Sequence, residues 1–155
     1  MTPAIKLARQ SKVEHSVHEY SHDPASDSYG LEAAEKLGVP EVRVFKTLVV
    51  SLDNNELAVG ILPVSTQLSM KRIAKALDAK KAVMAAPADV ERATGYVLGG
   101  VSPLGQKKRL RSVIDSSATN FPTIYVSAGR RGLEIELKPQ DLYDLLNADF
   151  ADIAQ

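Results

Sequence analysis

The sequence predicts a single α+β domain in which a mixed, mostly antiparallel sheet curls into a barrel-like core surrounded by short helices. Runs of branched apolar residues predict strands, and apolar residues spaced three and four apart predict helices. The two kinds of segment mix without strict alternation, which favours α+β over a parallel α/β sheet. A chain of 155 residues suits one domain with its own core, so we expect a single unit over residues 1–155.

The first third of the chain predicts a helix at residues 3–11, a strand at 13–20, a polar loop at 21–28 and a second helix at 31–37. Thr2 is a suitable N-cap, and Pro3 suits the first turn of the opening helix. The strand is predicted because its side chains alternate in character. Gly38 is placed to end the second helix, and the Val39-Pro40 pair prevents its continuation.

The middle of the chain predicts a hairpin, two helices and a short strand between them. The hairpin strands are residues 45–52 and 56–63, and Asp53-Asn54-Asn55 supplies the turn. Ser69 caps a helix that runs through Leu77 with its apolar residues four apart. The short strand covers residues 82–85, and the second helix runs from Pro87 until Gly95 ends it.

The last third predicts three strands and a closing helix. The strands are residues 110–115, 123–126 and 133–137, and Gly129 and Gly132 suit the turn between the last two. Pro139 opens the helix, in which Leu142 and Leu146 repeat four residues apart.

Composition excludes several classes of protein and of site. The chain has no cysteine, which excludes disulfides, thiolate metal ligands and a thiol nucleophile of the protein itself. No apolar run approaches the length of a membrane span, and the N-terminus lacks the apolar core of a signal peptide. We therefore expect a soluble, cytoplasmic protein that does not contact membranes.

The net charge is zero, with 19 basic and 19 acidic residues, so any contact with nucleic acid must come from local patches. A solvated surface is the ordinary role of such patches. Three basic patches occur in the chain: Lys107, Lys108 and Arg109; Arg130 and Arg131; and the helix with Lys71, Arg72 and Lys75.

A glycine-rich loop carries four of the nine glycines, Gly95, Gly99, Gly100 and Gly105. Two interpretations compete: an ordinary tight connection, or a cradle of backbone N–H groups for an anion or an oxyanion. The spacing from Gly100 to Gly105 resembles a nucleotide-binding P-loop, but Gln106 replaces its lysine and Lys108 its serine or threonine. The dinucleotide fingerprint is absent as well.

Several polar residues could carry chemistry. Lys46 stands at the end of an apolar row on its strand, either as a cation that reaches solvent or as one held at the mouth of a pocket. Glu134 also allows two interpretations. The default is a residue on a solvated sheet face, and the alternative is a residue that lines a cleft and accepts a substrate amine. The role of Ser127 is similarly ambiguous. The histidines do not predict a metal site, because His15 and His18 point to opposite faces of their strand.

Three ordered segments together resemble a known family: residues 45–50 (FKTLVV), 95–109 (GYVLGGVSPLGQKKR) and 124–133 (IYVSAGRRGL). They are similar to the YbaK-type aminoacyl-tRNA deacylases, free-standing relatives of the editing domain inserted in bacterial prolyl-tRNA synthetase. The resemblance runs nearly from end to end of the chain. It implies the YbaK fold and removal of cysteine from misacylated Cys-tRNA(Pro), with Cys-tRNA(Cys) as a further substrate, which is the second sieve of an editing system.

The resemblance also assigns residues and partners. It implies that Lys46 is the essential lysine, that Gly99 and Gly100 donate hydrogen bonds to the ester carbonyl, and that the substrate thiol attacks its own ester without a cofactor or a metal. Residues implied near the substrate are Tyr20, Tyr29, Thr47, Ser127 and Glu134. Glu134 stands where the family is expected to have aspartate. The implied partners are misacylated tRNA(Pro), contacted by the patches at 107–109 and 130–131, and prolyl-tRNA synthetase in a transient complex, but not DNA.

Two alternatives remain open. One is a deacylase that removes alanine or another small amino acid by attack of water. The other is a tRNA-binding module on the same fold that has no catalytic activity.

Overall fold

The computed structural model describes residues 1–155, which form five α-helices, two short 3₁₀ helices and eight strands. The α-helices are α1 (Pro3–Ser11), α2 (Tyr29–Leu37), α3 (Met70–Ala76), α4 (Pro87–Thr94) and α5 (Pro139–Leu146). The 3₁₀ helices are Glu41–Arg43 and Ser116–Asn120. The strands are β1 (His15–Glu19), β2 (Phe45–Leu52), β3 (Leu57–Pro63), β4 (Ala82–Met84), β5 (Arg111–Asp115), β6 (Ile124–Ser127), β7 (Leu133–Leu137) and β8 (Asp149–Ala151). No helix combines the length and the apolar character that crossing a bilayer requires.

The strands form two open sheets. One is three-stranded and antiparallel in the order β1-β7-β6, and the other is five-stranded in the order β4-β2-β3-β5-β8. In the larger sheet, β2 pairs antiparallel with β3 and β4, whereas β5 pairs parallel with β3 and β8. A parallel bridge between Val44 and Tyr125 joins the two sheets. The α+β class with a mixed sheet is confirmed, but the barrel-like closure is not, because neither sheet closes.

Strand β2 is central because it has apolar clusters on both faces. Phe45 and Val49 pack into the larger cluster, while Val50 and Leu52 pack into the cluster beneath α3. Burial on both faces explains why the sequence of this strand is a nearly continuous apolar run. Lys46 shares the face of Val50 and Leu52, as predicted, and lies where that apolar row ends.

Two features of the C-terminal half were not predicted. Strand β8 has only three residues, too few to show a period in the sequence, and it pairs with β5. The buried carboxylate of Asp115 also accepts hydrogen bonds from the N–H groups of Ile153 and Ala154, at 3.0 and 3.1 Å. This carboxylate ties the end of β5 to the C-terminal segment of the chain.

The glycine-rich loop, residues 95–105, packs against the start of α1. The hydroxyl of Tyr96 donates to the carbonyl of Leu104 at 2.6 Å and closes the loop. Gly105 has φ +71°, and a Cβ there would lie 2.6 Å from the carbonyl carbon of Pro3. On the other side of Pro3, the Thr2 hydroxyl donates to the carbonyl of Ala128 at 2.5 Å, beside the turn between β6 and β7. The start of α1 therefore holds the loop and the turn together.

We expect Gly105→Ala to destabilise the protein more than Gly38→Ala. Gly38 has φ +68° and nothing within 4 Å of a Cβ, so its substitution measures the left-handed backbone cost alone, about 1–2 kcal/mol. At Gly105 the same cost applies, and the Cβ also meets backbone atoms that cannot rotate away. Urea denaturation of both variants measures the difference, and equal losses would show that the loop does not depend on its contact with Pro3.

Candidate active site

A cavity of about 330 Å³ lies where β2, α2, the glycine-rich loop and the β6–β7 hairpin meet. Its volume is within the range of small-molecule sites. It brings Lys46 and Gly99 into one lining, although the two residues are far apart in the sequence. The predicted site residues in the lining are Tyr20, Tyr29, Lys46, Thr47, Gly99, Ser127, Arg130, Arg131 and Glu134.

Lys46 enters the cavity from an open strand edge. Strand β4 pairs with β2 only from Val50 onward, so the edge of β2 opposite β3 has no strand partner beside Lys46. The half-buried ammonium donates to the carbonyl of Thr66 at 2.5 Å. Burial lowers the pKa of Lys46, and no carboxylate offsets this effect. The cavity therefore contains a cation whose charge is available to a ligand.

Thr47 contributes a hydroxyl that makes no hydrogen bond. It is the one buried side-chain polar atom without a partner in the protein. A buried hydroxyl left unpaired costs about 1–3 kcal/mol, so such groups are rare in folded proteins. Because Thr47 lines the cavity, a polar group of a bound ligand would satisfy this hydroxyl.

Glu134 is buried, whereas a solvated face is the default for its position. On β7 it lies opposite Ser127 of β6 and His18 of β1. Burial raises the pKa of Glu134 to about 8. The expectation that Glu134 lies on a solvated face is wrong, because α2 and the glycine-rich loop cover this end of the sheet. Glu134 instead lines a cleft, as the alternative interpretation predicted.

The glycine-rich loop offers different donors from those expected. Residues 97–100 form a tight turn in which the N–H of Gly100 donates to the carbonyl of Val97 at 3.0 Å, and Gly99 has φ +87°. The N–H of Gly100 is therefore occupied, and Gly100 is not part of the lining. Gly99 and Val101 do line the cavity, and their N–H groups make no hydrogen bond within the protein.

Tyr29 joins three segments at the mouth of the cavity. The guanidinium of Arg131 lies over its ring, 3.7 Å from the centroid. This arrangement is a cation–π contact between α2 and the β6–β7 turn. A Cβ on Gly99 would lie 2.5 Å from Cε2 of the same ring, so the loop can approach only because residue 99 is glycine.

Two further predicted residues have backbone contacts that fix their positions. The N–H of Tyr20 donates to the carbonyl of Gly132 at 3.0 Å, and burial, followed by the nearby Glu134 carboxylate, raises the pKa of the phenol. The hydroxyl of Ser127 accepts a hydrogen bond from the N–H of Gly129 at 3.1 Å. Both contacts hold these side chains against the β6–β7 turn.

Sequence reasoning missed Glu32, which supports the wall of the cavity. Its buried carboxylate lies 2.6 Å from Nδ1 of His22 and accepts the N–H of Asp23 at 2.9 Å. The ring of His22 in turn packs edge-on against Tyr29. An acidic residue in the first turn of a helix is ordinary, so nothing in the sequence marks Glu32 as the anchor of the polar loop.

The two basic patches that are predicted to contact tRNA lie in different surroundings. Arg130 and Arg131 are exposed and lie in the cavity lining. Lys107, Lys108 and Arg109 are exposed but lie outside the lining, where the N–H groups of Lys107 and Lys108 donate to carbonyls at the C-terminal end of α4. Their contact with tRNA stays a prediction.

The lining favours electrostatic catalysis over a covalent intermediate on the protein. It contains a cation, free backbone N–H groups, an unpaired hydroxyl and a buried carboxyl, but neither cysteine nor histidine. The hydroxyl of Ser127 therefore lacks the adjacent imidazole that commonly activates a serine. Such a cavity can position a polar substrate and stabilise negative charge that develops on it.

Comparison with known proteins identifies the family of the chain. The sequence profile of the aminoacyl-tRNA editing domain matches residues 23–145. EbsC of Enterococcus faecalis, named as a candidate Cys-tRNA(Pro)/Cys-tRNA(Cys) deacylase, is 37% identical over 153 residues, which cover 98% of this chain and 92% of EbsC. YwhH of Bacillus subtilis, an uncharacterised protein, is 29% identical over 72% of this chain and 70% of its own length.

A solved structure shows the same fold. It is the crystal structure of a candidate trans-editing enzyme for prolyl tRNA synthetase, with a TM-score of 0.86 and 21% identity over 99% of this chain and 95% of its own. Since the profile spans most of the chain and EbsC matches nearly all of it, the chain belongs to the aminoacyl-tRNA editing domain family, of the YbaK type that its motifs resemble.

Proposed function

We propose that this protein removes cysteine from misacylated Cys-tRNA(Pro), with Cys-tRNA(Cys) as a further substrate. The observation that carries the proposal is the cavity in which Lys46, the free N–H of Gly99 and the buried carboxyl of Glu134 face one space. The name of EbsC, 37% identical along nearly the whole chain, supports the same substrate. The partner is tRNA(Pro), and we place the reaction in the cytoplasm.

The reaction that we propose uses the thiol of the substrate. Its sulfur bonds to the carbonyl carbon of the aminoacyl ester, the bond from that carbon to the ribose oxygen breaks, and the thiol proton passes to the departing ribose hydroxyl. The products are free tRNA and a cyclic thioester of cysteine, which water opens to cysteine. Negative charge develops on the carbonyl oxygen, so donors that already point at this oxygen lower the barrier.

Different residues of the cavity bind the carbonyl side and the ribose side of the ester. The N–H of Gly99, with that of Val101, polarises the carbonyl, and Lys46 holds the terminal phosphate or ribose. Thr47 supplies a hydrogen bond to a polar atom of the substrate, since its hydroxyl has no partner in the protein. Val101 replaces Gly100 in this role because the N–H of Gly100 is bonded to Val97.

Glu134 receives the α-amino group of the substrate. In the free protein its pKa of about 8 leaves the carboxyl mostly protonated at neutral pH. An ammonium group beside it favours the charged form, so binding of the amine lowers this pKa.

Prolyl-tRNA synthetase is the second partner that we propose. With zero net charge, the protein lacks the overall field that would give tight binding to tRNA by itself. A transient complex with the synthetase would supply misacylated tRNA at high local concentration. The name of the solved neighbour, a candidate trans-editing enzyme for prolyl tRNA synthetase, supports this partner.

A second candidate is a deacylase that uses water on alanine or another small amino acid. Glu134 favours it, because the ionised fraction of a carboxyl whose pKa is raised to about 8 is a stronger base than an ordinary carboxylate and can accept a proton from water. The two candidates differ in the need for a substrate thiol.

Release of labelled amino acid from tRNA(Pro) separates the two candidates. We expect rapid release of cysteine and no release above background of serine or alanine, because neither has a sulfur that can attack the ester. The comparison uses one tRNA and one enzyme concentration, so only the side chain of the amino acid changes. Equal release of alanine would establish the water mechanism, and no release of any amino acid would favour a binding module.

Lys46→Ala should lower kcat/KM for cysteine release by about 100-fold or more, the effect of removing one preorganised group from a charge-stabilising site. Lys6→Ala is the control, because Lys6 is an exposed lysine of α1. Thermal unfolding of both variants checks that the fold is intact. Wild-type activity of Lys46→Ala would contradict the assigned role.

Glu134→Gln should change how stability depends on pH. The pKa of Glu134 is raised to about 8 in the folded protein, so the folded state holds this proton where the unfolded chain has lost it. The free energy of unfolding of the wild type should therefore fall between about pH 4.5 and pH 8, with a slope of up to about 1.4 kcal/mol per pH unit from this group. The variant should lack this contribution and should exceed the wild type in stability at pH 8.

Glu136→Gln is the matched control on the same strand. Burial opposes ionisation of Glu136, but hydrogen bonds from Thr123 and His18 outweigh burial and lower its pKa. Its loss should therefore destabilise the protein above about pH 4.5, the opposite sign. Urea denaturation at pH 5, 6.5 and 8 measures both variants. Parallel pH profiles of the wild type and Glu134→Gln would refute the neutral carboxyl.

A further inference from the structure

A second concave surface lies between α3 and β4 and carries four lysines. This lysine groove, of about 630 Å³, is lined by Lys71, Lys75, Lys80 and Lys81 above a floor that includes Ala74 and Ala82. All four lysines are exposed, and none of the seven ion pairs of the protein includes one of them. Their charges are therefore free to meet an anion.

The local structure holds these lysines close together despite their repulsion. Lys71 and Lys75 are four residues apart on the exposed face of α3, where like charges destabilise a helix. The N–H groups of Lys80 and Lys81 donate to the carboxylate of Asp53, which fixes the turn that leads into β4. Apart from Asp53 beside it, the groove includes one acid, Asp78, so it is basic in a protein of zero net charge.

The lysine groove and the Lys46 side of the cavity lie on one face of the larger sheet. Lys46 and Leu52 lie on the same face of β2, and Leu52 pairs with Ala82 in the floor of the groove. Six residue steps separate Lys46 from Leu52, which corresponds to about 20 Å along the strand. A chain molecule whose end enters the cavity can therefore reach the groove a few monomers further along.

We infer that the lysine groove binds the sugar–phosphate backbone of the RNA substrate while the cavity holds its aminoacyl end. This inference rests on the proposed RNA substrate. Ammonium groups act as flexible point charges that suit a row of phosphates. Lysine is depleted in interfaces between proteins, so four unpaired lysines in one open groove favour RNA over an acidic protein surface. The groove is separate from the predicted contacts at Arg130 and Arg131.

Binding of labelled, uncharged tRNA(Pro) to the full chain at several salt concentrations tests the inference. The groove variants are Lys71→Gln/Lys75→Gln and Lys80→Gln/Lys81→Gln, and the matched control is Lys6→Gln/Lys12→Gln, two exposed lysines outside the groove. Each lost phosphate contact reduces the slope of log K against log salt by about 0.7–0.9. We expect each groove variant, which loses two such contacts, to bind more weakly with a slope smaller by about 1.4–1.8, and the control to match the wild type.

Cysteine release provides a second measurement that separates the groove from the cavity. The groove variants should lose about tenfold in kcat/KM on Cys-tRNA(Pro), as weaker phosphate contacts imply. They should keep wild-type kcat/KM on the cysteinyl ester of adenosine, which reaches only the cavity. Unchanged thermal midpoints would confirm that the exposed substitutions leave the fold intact.

The two measurements fail in different ways. Unchanged tRNA affinity and salt slope in the groove variants would overturn the lysine groove as an RNA site, whatever the release assay gives. If the groove variants bound tRNA normally but no longer bound prolyl-tRNA synthetase, the groove would be a protein interface and the inference would be wrong. If the wild type released no cysteine from either substrate, the proposed function would fail, while the binding titration would still decide the role of the groove.

Discussion

The absence of a side chain at Gly99 is the constraint on which the cavity depends. A Cβ at this position would lie 2.5 Å from the ring of Tyr29 and 3.0 Å from Nε of Arg131. Only glycine lets the glycine-rich loop approach the point where α2 and the β6–β7 turn meet through the stacked tyrosine and arginine. These segments together cover the open edge of β2, and Lys46 and Glu134 become residues of an enclosed space instead of residues of a sheet surface.

The charges inside this space are arranged for a ligand and not for each other. Lys46 and Glu134 both line the cavity, yet they form no ion pair, and burial alone raises the pKa of the carboxyl. An ion pair between them would have stabilised both charged forms and consumed both groups. Their separation leaves one group for an anionic part of a ligand and the other for a cationic part, and the unpaired hydroxyl of Thr47 lies between the same walls. Leaving these buried polar groups unpaired lowers the stability of the folded protein, but each group stays available to bind a ligand.

Much of the fold could be predicted from local sequence patterns, whereas features that depend on contacts between distant parts of the chain could not. The β2–β3 hairpin follows from its apolar runs and its Asp-Asn-Asn turn, and α1 begins where Thr2 and Pro3 indicate. The burial of Glu134 could not be read from β7, because the segments that cover it come from elsewhere in the chain. For the same reason the sequence could not show that Val97 occupies the N–H of Gly100, or that Asp115 holds the C-terminal segment. Most of the residues that the resemblance placed near the substrate line the cavity, since a motif retains positions whose contacts local rules cannot supply.

A shared fold at 21% identity does not by itself select the amino acid. Size alone is a weak basis for selection, because one methylene in a pocket is worth only about 1–3 kcal/mol. Under the proposed mechanism the thiol of the substrate is both the nucleophile and the feature that is recognised. An ester without a sulfur can then occupy the cavity and still leave unreacted, so the selection occurs at the chemical step. This explains how a cavity lined by neither cysteine nor histidine could be specific: the reactive group that it lacks is the one that distinguishes the wrong amino acid from proline.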